Sequence, residues 1–239
     1  MSDLRVALVA EGFTDVIVIE AALKALLPKP FIPTLLQPEE IKDDLSGQSR
    51  EWGWPGVLQW CLQFSDRGHS SFQSDPTLPG FDLLVIHLDA DIATKSYKDI
   101  SDRIDQIGQD RGWPSIPIVN TCPPAVTDAE FTRSCILSWA GVSNTGGNTI
   151  LCVPSKTIES WLAAAILNDN HALQNNLECN FRVAEQMANL PKRERVKKRK
   201  VEYDKYRLAV QSSWQSVRKK CSQAERFSLE IEAFVQSLP

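Results

Sequence analysis

Two stretches of the chain share one pattern, a run of apolar residues that ends abruptly in acids. Leu4 to Ala10 is continuously apolar, which is typical of a parallel strand buried on both faces. The run stops at Glu11, and apolar residues then recur at helical spacing, with Thr14 as the expected N-cap. Phe81 to Leu88 is a second apolar run, and Asp89 follows it. We therefore predict two parallel strands whose carboxyl ends carry acids.

The acids at these strand ends are expected to converge. Parallel strands end at the same edge of a sheet, so Glu11 should lie close to Asp89 and Asp91. Crowded carboxylates repel one another unless a cation lies between them, and oxygen ligands suit Mg²⁺ or Mn²⁺. Asp15 falls in the first turn of the predicted helix, where it can complete or support this group. For Glu11 alone, a surface loop with one acid is the plain alternative.

A third strand is predicted from Thr149 to Val153, and a helix follows it. Glu159 falls in or just beyond the first turn of that helix, whether Ser155 or Thr157 is its cap. The plain alternative is that an acid there only complements the helix dipole. Beside the other strand-end acids, a metal-linked role for Glu159 is the favoured interpretation.

The order of these motifs resembles the Toprim fold, which topoisomerases, bacterial primases and OLD-family nucleases share. The motifs are E-G-x-x-D from Glu11, D-x-D from Asp89 and I-E-x-W-L from Ile158. Small Toprim-like proteins of the OLD type commonly carry the acid of this last motif. The resemblance covers roughly residues 4 to 167.

The resemblance also implies a domain arrangement. Residues 1–170 would form an α/β, Toprim-like domain, with a mainly parallel sheet flanked by helices and an irregular insert at 28–80. Residues 171–239 would form a helical, basic C-terminal extension. Apolar residues at steps of three and four predict one long amphipathic helix from Tyr203 to Ala224, whose apolar stripe the core or a partner must cover.

Among the Toprim activities, a metal-dependent nuclease suits this chain best. A topoisomerase needs a large strand-gating module and a primase usually brings a zinc-binding domain, and the 239 residues lack both the room and a C-x-x-C pair. The small stand-alone members are often paired with an ABC-type ATPase in antiviral defence. Because this chain has no Walker motif, the resemblance implies an ATPase partner that gates phosphodiester hydrolysis of DNA or RNA.

The resemblance gives each candidate residue an expected role. The expected ligands of Mg²⁺ or Mn²⁺ are the five acids Glu11, Asp15, Asp89, Asp91 and Glu159. Glu11 is expected as a ligand or as the general base. A lysine of the basic segment would stabilise developing charge; Lys198, Lys200 and Lys205 are the candidates, with Lys200 as the working choice. The expected catalytic set is therefore Glu11, Asp89, Asp91, Glu159 and Lys200.

The net charge of −4 is unevenly distributed. Twelve Lys or Arg residues against three acids give residues 191–220 a charge of +9, which leaves −13 for the rest of the chain. Such a segment can contact phosphate backbones through counterion release, although a solvated helix surface is the usual explanation of a charge cluster. The expected nucleic-acid contacts are Arg195, Lys197, Lys198, Arg199, Lys200 and Lys205.

Other features are given structural roles. The six cysteines include no C-x-x-C pair, so reduced core thiols are expected rather than a zinc site or disulfides. His87 alternates with Ile86 on its strand and is expected in the core, with a catalytic role as the alternative. Trp52 and Trp54 are expected to pin a loop to the core, with base stacking as the alternative. The segment N-T-G-G-N at 144–148 is expected to be a flexible turn rather than a phosphate loop.

Neither a membrane-spanning apolar run nor a secretory pattern is found, so a cytoplasmic protein is expected, with a homo-oligomer as an option. Three rival functions are considered. The D-x-D motif also occurs in aspartyl phosphatases and in glycosyltransferases, but the residues around Asp89 and Glu11 fit those enzymes less well. The third rival is a non-catalytic, Toprim-like regulatory or binding subunit of an ATPase complex.

Overall fold

A four-stranded, all-parallel sheet lies at the centre of the computed structural model, which describes residues 2–38 and 53–238. The strands are β1 (Leu4–Val9), β2 (Phe31–Gln37), β3 (Leu83–His87) and β4 (Thr149–Cys152), in the order β2-β1-β3-β4. Strands β1, β3 and β4 are the three predicted apolar runs. The expectation of an α/β fold with a parallel sheet flanked by helices is confirmed.

Helices cover both faces of this sheet. Before β4 they are α1 (Phe13–Leu26), α2 (Trp54–Asp66), α3 (Asp102–Asp110) and α4 (Val126–Ala140). After β4 they are α5 (Glu159–Ile166), α6 (Val183–Ala188), α7 (Lys200–Asp204), α8 (Arg207–Ser212), α9 (Trp214–Lys220) and α10 (Ser222–Ser237). Short 3₁₀ helices lie at Phe72–Ser74, Ala90–Thr94, Tyr97–Asp99 and Ala172–Cys179. Within the described ranges, every helix is too short or too polar to cross a membrane.

The alternation of side chains along the strands divides the core between the two faces. Val6 and Leu8 of β1 pack with α1, α5 and the C-terminal helices, whereas Ala7 and Val9 pack with α2 and α4. All four side chains are buried because both faces of the sheet are covered.

The strand order creates a topological switch point between β1 and β3. After β1 the chain runs through α1 to β2 on one side, and then through α2 back to β3 on the other. Since α1 and α2 lie on opposite faces, the carboxyl ends of β1 and β3 border a crevice. Open α/β sheets bind their ligands at such a position.

The prediction of a single long helix from Tyr203 to Ala224 is wrong. The segment is divided among α7, α8, α9 and the start of α10, and Cys221 between the last two has an extended backbone. Its apolar residues, among them Val210 and Val217, are nevertheless almost fully buried. Because α8 packs on α1 and α9 on α5, tertiary packing decides the path of the chain over its helical periodicity.

The region 28–80 is more regular than predicted, since it supplies both β2 and α2. Strand β2 lies at the edge of the sheet, the position in which a strand tolerates a proline such as Pro33. Trp54 is buried at the start of α2, in agreement with its predicted structural role. Trp52 lies outside the described residues.

The starts of two helices differ from the predicted caps. The observed N-cap residues of α1 and α5 are Gly12 and Ile158, and neither side chain caps its helix. Thr14 therefore lies inside α1, while Ser155 and Thr157 precede the cap of α5. At the start of α5 the Asp89 carboxylate accepts a hydrogen bond from the Ile158 N–H, so a residue distant in sequence takes the place of a local cap.

Cys122 and Cys179 form a disulfide, so the expectation that all thiols are reduced is wrong for this pair. Cys122 precedes α4 and Cys179 ends a 3₁₀ helix 57 positions later. Their approach depends on the tertiary fold, which cysteine spacing alone does not reveal. The other four cysteines, at positions 61, 135, 152 and 221, are free and buried, as expected.

Candidate metal centre at the carboxyl edge of the sheet

Glu11 and Asp89 come together at the switch point, as their strand ends predict. Each lies two residues beyond its strand, and β1 and β3 are directly paired in parallel. The Glu11 carboxylate accepts a hydrogen bond of 2.7 Å from the Asp89 backbone N–H. The Asp89 carboxylate accepts one of 2.9 Å from the Ile158 N–H, at the start of α5. These bonds tie the ends of two strands and the start of a helix into one fixed geometry.

His87 completes a close group with these two acids. It is fully buried at the end of β3, as predicted, and its Nε2 lies 3.3 Å from an Asp89 carboxylate oxygen. One ligand atom each from Glu11, His87 and Asp89 lie within 4.8 Å of one another. Among the described residues, neither nitrogen of the His87 ring has a hydrogen-bond partner, which is unusual for a buried imidazole. His87 is therefore a candidate ligand as well as a core residue.

Glu159 is the first residue of α5 and is fully buried. Its Oε1 accepts a hydrogen bond of 3.0 Å from the Tyr203 hydroxyl and lies 2.9 Å from Nζ of Lys198. Burial alone would raise the pKa of Glu159, but the charge of Lys198 and these hydrogen bonds lower it. Glu159 is thus held as a carboxylate by two residues of the C-terminal segment.

Of the three candidate lysines, Lys198 is the one that contacts Glu159. Burial would lower the pKa of its ammonium, but the charges of Glu159, Asp15 and Asp89 raise it, so the group stays protonated. About half of its side chain, 47%, remains exposed. Lys198 therefore places a positive charge between the buried acids and solvent.

The other candidate lysines are directed elsewhere. Lys200, the working choice, lies over the ring of Phe13, with its Nζ 4.9 Å from the centroid. Lys205 is paired with Glu202 at 2.8 Å. Among the three candidate lysines, the one in contact with a site acid is thus Lys198.

Of the remaining predicted nucleic-acid contacts, Arg195 donates a hydrogen bond of 3.1 Å from Nε to the Leu190 carbonyl. Lys197 and Arg199 flank Lys198 and are exposed. They lie before α7, in a stretch that is not helical. Lys197, Lys198 and Arg199 therefore lie on a surface loop beside the acidic edge, whereas Lys200 begins α7.

Asp15 and Asp91 lie at the border of the site. Asp15 is buried in the first turn of α1 and accepts a hydrogen bond of 3.2 Å from the Thr14 hydroxyl. Asp91 is partly exposed, and its carboxylate lies 3.2 Å from Nζ of Lys95. Of the acids expected as ligands, Glu11 and Asp89 belong to the close group within the described chain, and Asp15, Asp91 and Glu159 surround it.

The electrostatics of the site favour a cation. Burial raises the pKa of Glu11 and of Asp89 well above their usual values, and the charges of neighbouring acids raise both further. Burial also raises the pKa of Asp15 and of Asp91. Burial lowers the pKa of His87, so its imidazole is neutral and able to bind a metal. A divalent cation would offset the repulsion among the acids and bind one nitrogen of His87, so these residues fit one.

Two residues of the site were expected to have other roles. His87 was expected to pack in the core, with a catalytic role as the less favoured alternative, and it lies two positions before Asp89 of the D-x-D motif. Tyr203 was expected only in an apolar stripe. Its hydrogen bond to Glu159 joins residues 44 positions apart, and a short sequence motif cannot predict such a contact.

No family model matches the chain, and neither a curated protein nor a solved structure matches it. Function is therefore inferred from the residues and their geometry.

Proposed function

We propose that this protein is a metal-dependent nuclease with a Toprim-like fold, which hydrolyses phosphodiester bonds of DNA or RNA. The observation that carries the proposal is the close group of Glu11, His87 and Asp89 at the switch point of the sheet. A buried imidazole without a hydrogen-bond partner and two carboxylates with raised pKa values are a donor set that suits a divalent cation.

Mg²⁺ or Mn²⁺ is the proposed ion. Glu11, Asp89 and His87 would bind it, and Asp91 and Glu159 would add negative charge around these ligands. Carboxylates suit both ions. An imidazole favours Mn²⁺ over Mg²⁺, because Mn²⁺ is a transition metal, the class of metal that histidine binds well. When bound, the ion would supply a nucleophilic water near neutral pH and neutralise charge on the phosphoryl oxygens.

The chain's own residues would position and balance this chemistry. Glu11 is proposed as a ligand of the ion or as the general base that accepts a proton from the attacking water. Ile158 holds the Asp89 carboxylate in place through its backbone N–H. Lys198, anchored by Glu159, would stabilise the negative charge that develops on the phosphate.

The exposed loop around Lys198 is the proposed contact to nucleic acid. Lys197 and Arg199 carry positive charge beside the acidic edge, where a phosphate backbone would otherwise be repelled. From the resemblance to the small stand-alone Toprim proteins, we also propose that an ABC-type ATPase gates the reaction in antiviral defence.

A non-catalytic regulatory or binding subunit is the second candidate. The observation that favours it is the contact of Glu159 with Lys198 and Tyr203. The ion pair and the hydrogen bond balance the charge of Glu159 without a metal. In this second candidate, the contact has a structural role alone and holds the C-terminal segment on the core.

A cleavage assay separates the two candidates. Single-stranded, duplex and structured RNA and DNA would be incubated with the protein, alone and with an ATPase partner, in Mg²⁺, Mn²⁺ or EDTA. We expect cleavage with either ion and none in EDTA. Asp89→Asn keeps an oxygen for the Ile158 N–H but removes the charge that holds the metal, so we expect cleavage to fall about 100-fold or more.

The matched control is Asp110→Asn, an exposed acid of α3 that accepts a hydrogen bond from Gln106. It should cleave like the unaltered protein. Equal cleavage by Asp89→Asn, at unchanged circular dichroism, would contradict the assignment of the acidic site. Metal binding without any cleavage would favour the regulatory subunit.

A further inference from the structure

The disulfide between Cys122 and Cys179 joins the two layers of helices that cover the sheet. Cys122 precedes α4, which packs on one face, and Cys179 ends a 3₁₀ helix whose Leu177 packs on the other. Both of these cysteines are partly exposed, whereas the four free cysteines are buried. Of the six cysteines, the disulfide pair is therefore the more open to a reductant in solution.

On the side of Cys179, the preceding residue Glu178 holds the segment that follows β4. Its Oε1 accepts a hydrogen bond of 2.6 Å from the Ser155 hydroxyl and one of 2.7 Å from the Ser222 backbone N–H. Ser155 is buried, and Ser222 is the first residue of α10. The residue next to the disulfide thus ties the segment before α5 to the C-terminal helix.

Lys156 is enclosed by residues from both sides of the disulfide. Its ammonium lies 4.3 Å from the centroid of the Phe181 ring. The same ammonium is paired with Asp128 of α4, which also accepts a hydrogen bond of 2.7 Å from the Asn120 side chain. Phe181 and Asn120 each lie two positions from a disulfide cysteine. Both ends of the disulfide therefore lie beside residues that contact Lys156 or its partner Asp128.

The backbone of this segment in turn holds two acids of the acidic edge. The Lys156 carbonyl accepts a hydrogen bond of 3.1 Å from the Asp91 N–H. The Ile158 N–H donates one of 2.9 Å to the Asp89 carboxylate. The segment 155–158 is thus fixed by the surroundings of the disulfide and fixes the acids itself.

Reduction would leave these contacts without a covalent link between the two layers. The disulfide limits the freedom of the chain between its cysteines, which are 57 positions apart. Phe181 is 46% exposed, and Cys122 and Cys179 are partly exposed, so the contacts around the disulfide lie near the surface. Contacts of this kind open more readily than those of the core.

We infer that Cys122 and Cys179 form a redox-sensitive clamp on the acidic edge. In the disulfide form the clamp fixes the segment 155–158, and with it Asp89 and Asp91, and in the dithiol form it releases them. This inference concerns the chain's own contacts and holds whether or not the protein cleaves nucleic acid.

The reductant of the clamp is a dithiol. One of its thiolates attacks a sulfur of the disulfide, the S–S bond breaks, and the other cysteine leaves as a thiolate and takes up a proton. The second thiol of the reductant then displaces the first cysteine, which is protonated in the same way. The protein gains two electrons and two protons, and the reductant becomes a disulfide.

Hydrogen exchange of the full chain, resolved by residue with NMR, tests the clamp before and after treatment with dithiothreitol. Alkylation followed by mass spectrometry gives the state of each cysteine. On reduction, the amides of Asp91 and Ile158 should exchange at least about tenfold faster, because their acceptors or their own backbone lie in the released segment. The control is the Asp82 amide, which donates to the Arg5 carbonyl at the opposite end of the strands. Its exchange should change by less than about twofold.

The variant Cys122→Ser with Cys179→Ser removes the disulfide without a reductant. It should exchange like the reduced protein, and dithiothreitol should leave its exchange unchanged, since the four buried thiols remain in it. If this variant does not fold, the comparison of the oxidised and reduced natural protein decides.

Binding of Mn²⁺, followed by electron paramagnetic resonance, adds a readout that rests on the proposed function. Reduction should weaken this binding several-fold, because Asp89 would be less firmly held. If neither form binds Mn²⁺, the proposed metal centre is contradicted, and the exchange rates still decide on the clamp.

Three results would overturn the inference. The first is free thiols at both positions in protein kept under oxidising conditions. The second is a disulfide that excess dithiothreitol leaves intact in the folded protein. The third is an exchange of the Asp91 and Ile158 amides that reduction does not change, or changes only as much as that of Asp82.

Discussion

The acidic edge and the C-terminal segment supply the two charges of one site, but they are positioned in different ways. Glu11 and Asp89 follow directly from strands whose pairing fixes their separation. Lys198 and Tyr203 lie on a loop and a short helix, and reach Glu159 because the segment packs on the core. The acids thus define the site. The positive charge of Lys198, which follows Glu159 by more than 30 positions, depends on the tertiary packing of the C-terminal segment. A change that loosens this packing should therefore affect stability and the site together.

The largest effect is expected from Trp161→Ala, at the contact between α5 and the C-terminal helices. The Trp161 ring centroid lies 5.5 Å from that of Trp214 and 5.9 Å from that of Phe227. Removal of this buried ring should lower the free energy of unfolding by about 3–5 kcal/mol. Guanidinium unfolding followed by circular dichroism would measure the change.

This variant tests whether the C-terminal segment is part of the core or an appendage. We expect one cooperative transition at lower denaturant concentration. A main transition at its original midpoint, preceded by a separate early one, would show that the segment unfolds alone. Leu208→Ala in α8 is the control, since its side chain is 76% exposed and its removal should change stability little.

The core and the acidic edge could be predicted from the sequence because both depend on local pattern. Apolar runs that end in acids predict the strands, and the parallel arrangement then brings Glu11 to Asp89. Strand β2 was missed because Phe31–Gln37 contains Pro33 and has exposed positions, as an edge strand can.

The partners of Glu159 could not be predicted in the same way. A basic run such as 192–200 shows where positive charge lies, but every lysine in it has the same chemistry, and only the packed chain distinguishes Lys198 from Lys200. The disulfide between Cys122 and Cys179 was missed for the same reason. Local periodicity also predicted one long helix, where packing on α1 and α5 produces several short ones.

A smaller effect is expected from Lys198→Met, which removes the charge facing Glu159. A buried carboxylate that loses one of its two partners is destabilised, but the exposure of Lys198 reduces the loss, so we expect about 1–2 kcal/mol. Lys197→Met removes an equal charge from an exposed neighbour and should change stability by less than about 0.5 kcal/mol. Urea unfolding of both variants gives the comparison. Equal stability of the two would mean that the contact between Lys198 and Glu159 is not maintained in solution.

The smallest effect is expected from a pair of exposed charges, Lys197 and Arg199, on the loop beside the acidic edge. If both contact phosphates, Lys197→Gln with Arg199→Gln should weaken nucleic-acid binding several-fold and reduce the slope of log K against log salt by about 0.7–0.9 per contact. Fluorescence anisotropy with a labelled oligonucleotide between 50 and 200 mM salt, a range chosen because such contacts respond strongly there, would measure this slope.

The matched control is Lys24→Gln with Lys29→Gln, which removes the same charge near the start of β2, at the opposite edge of the sheet. If both pairs reduce the slope equally, net charge alone attracts the nucleic acid and the loop has no special role. A reduction confined to the Lys197 and Arg199 pair would place the phosphate backbone on the loop that carries Lys198, and so within reach of the buried acids.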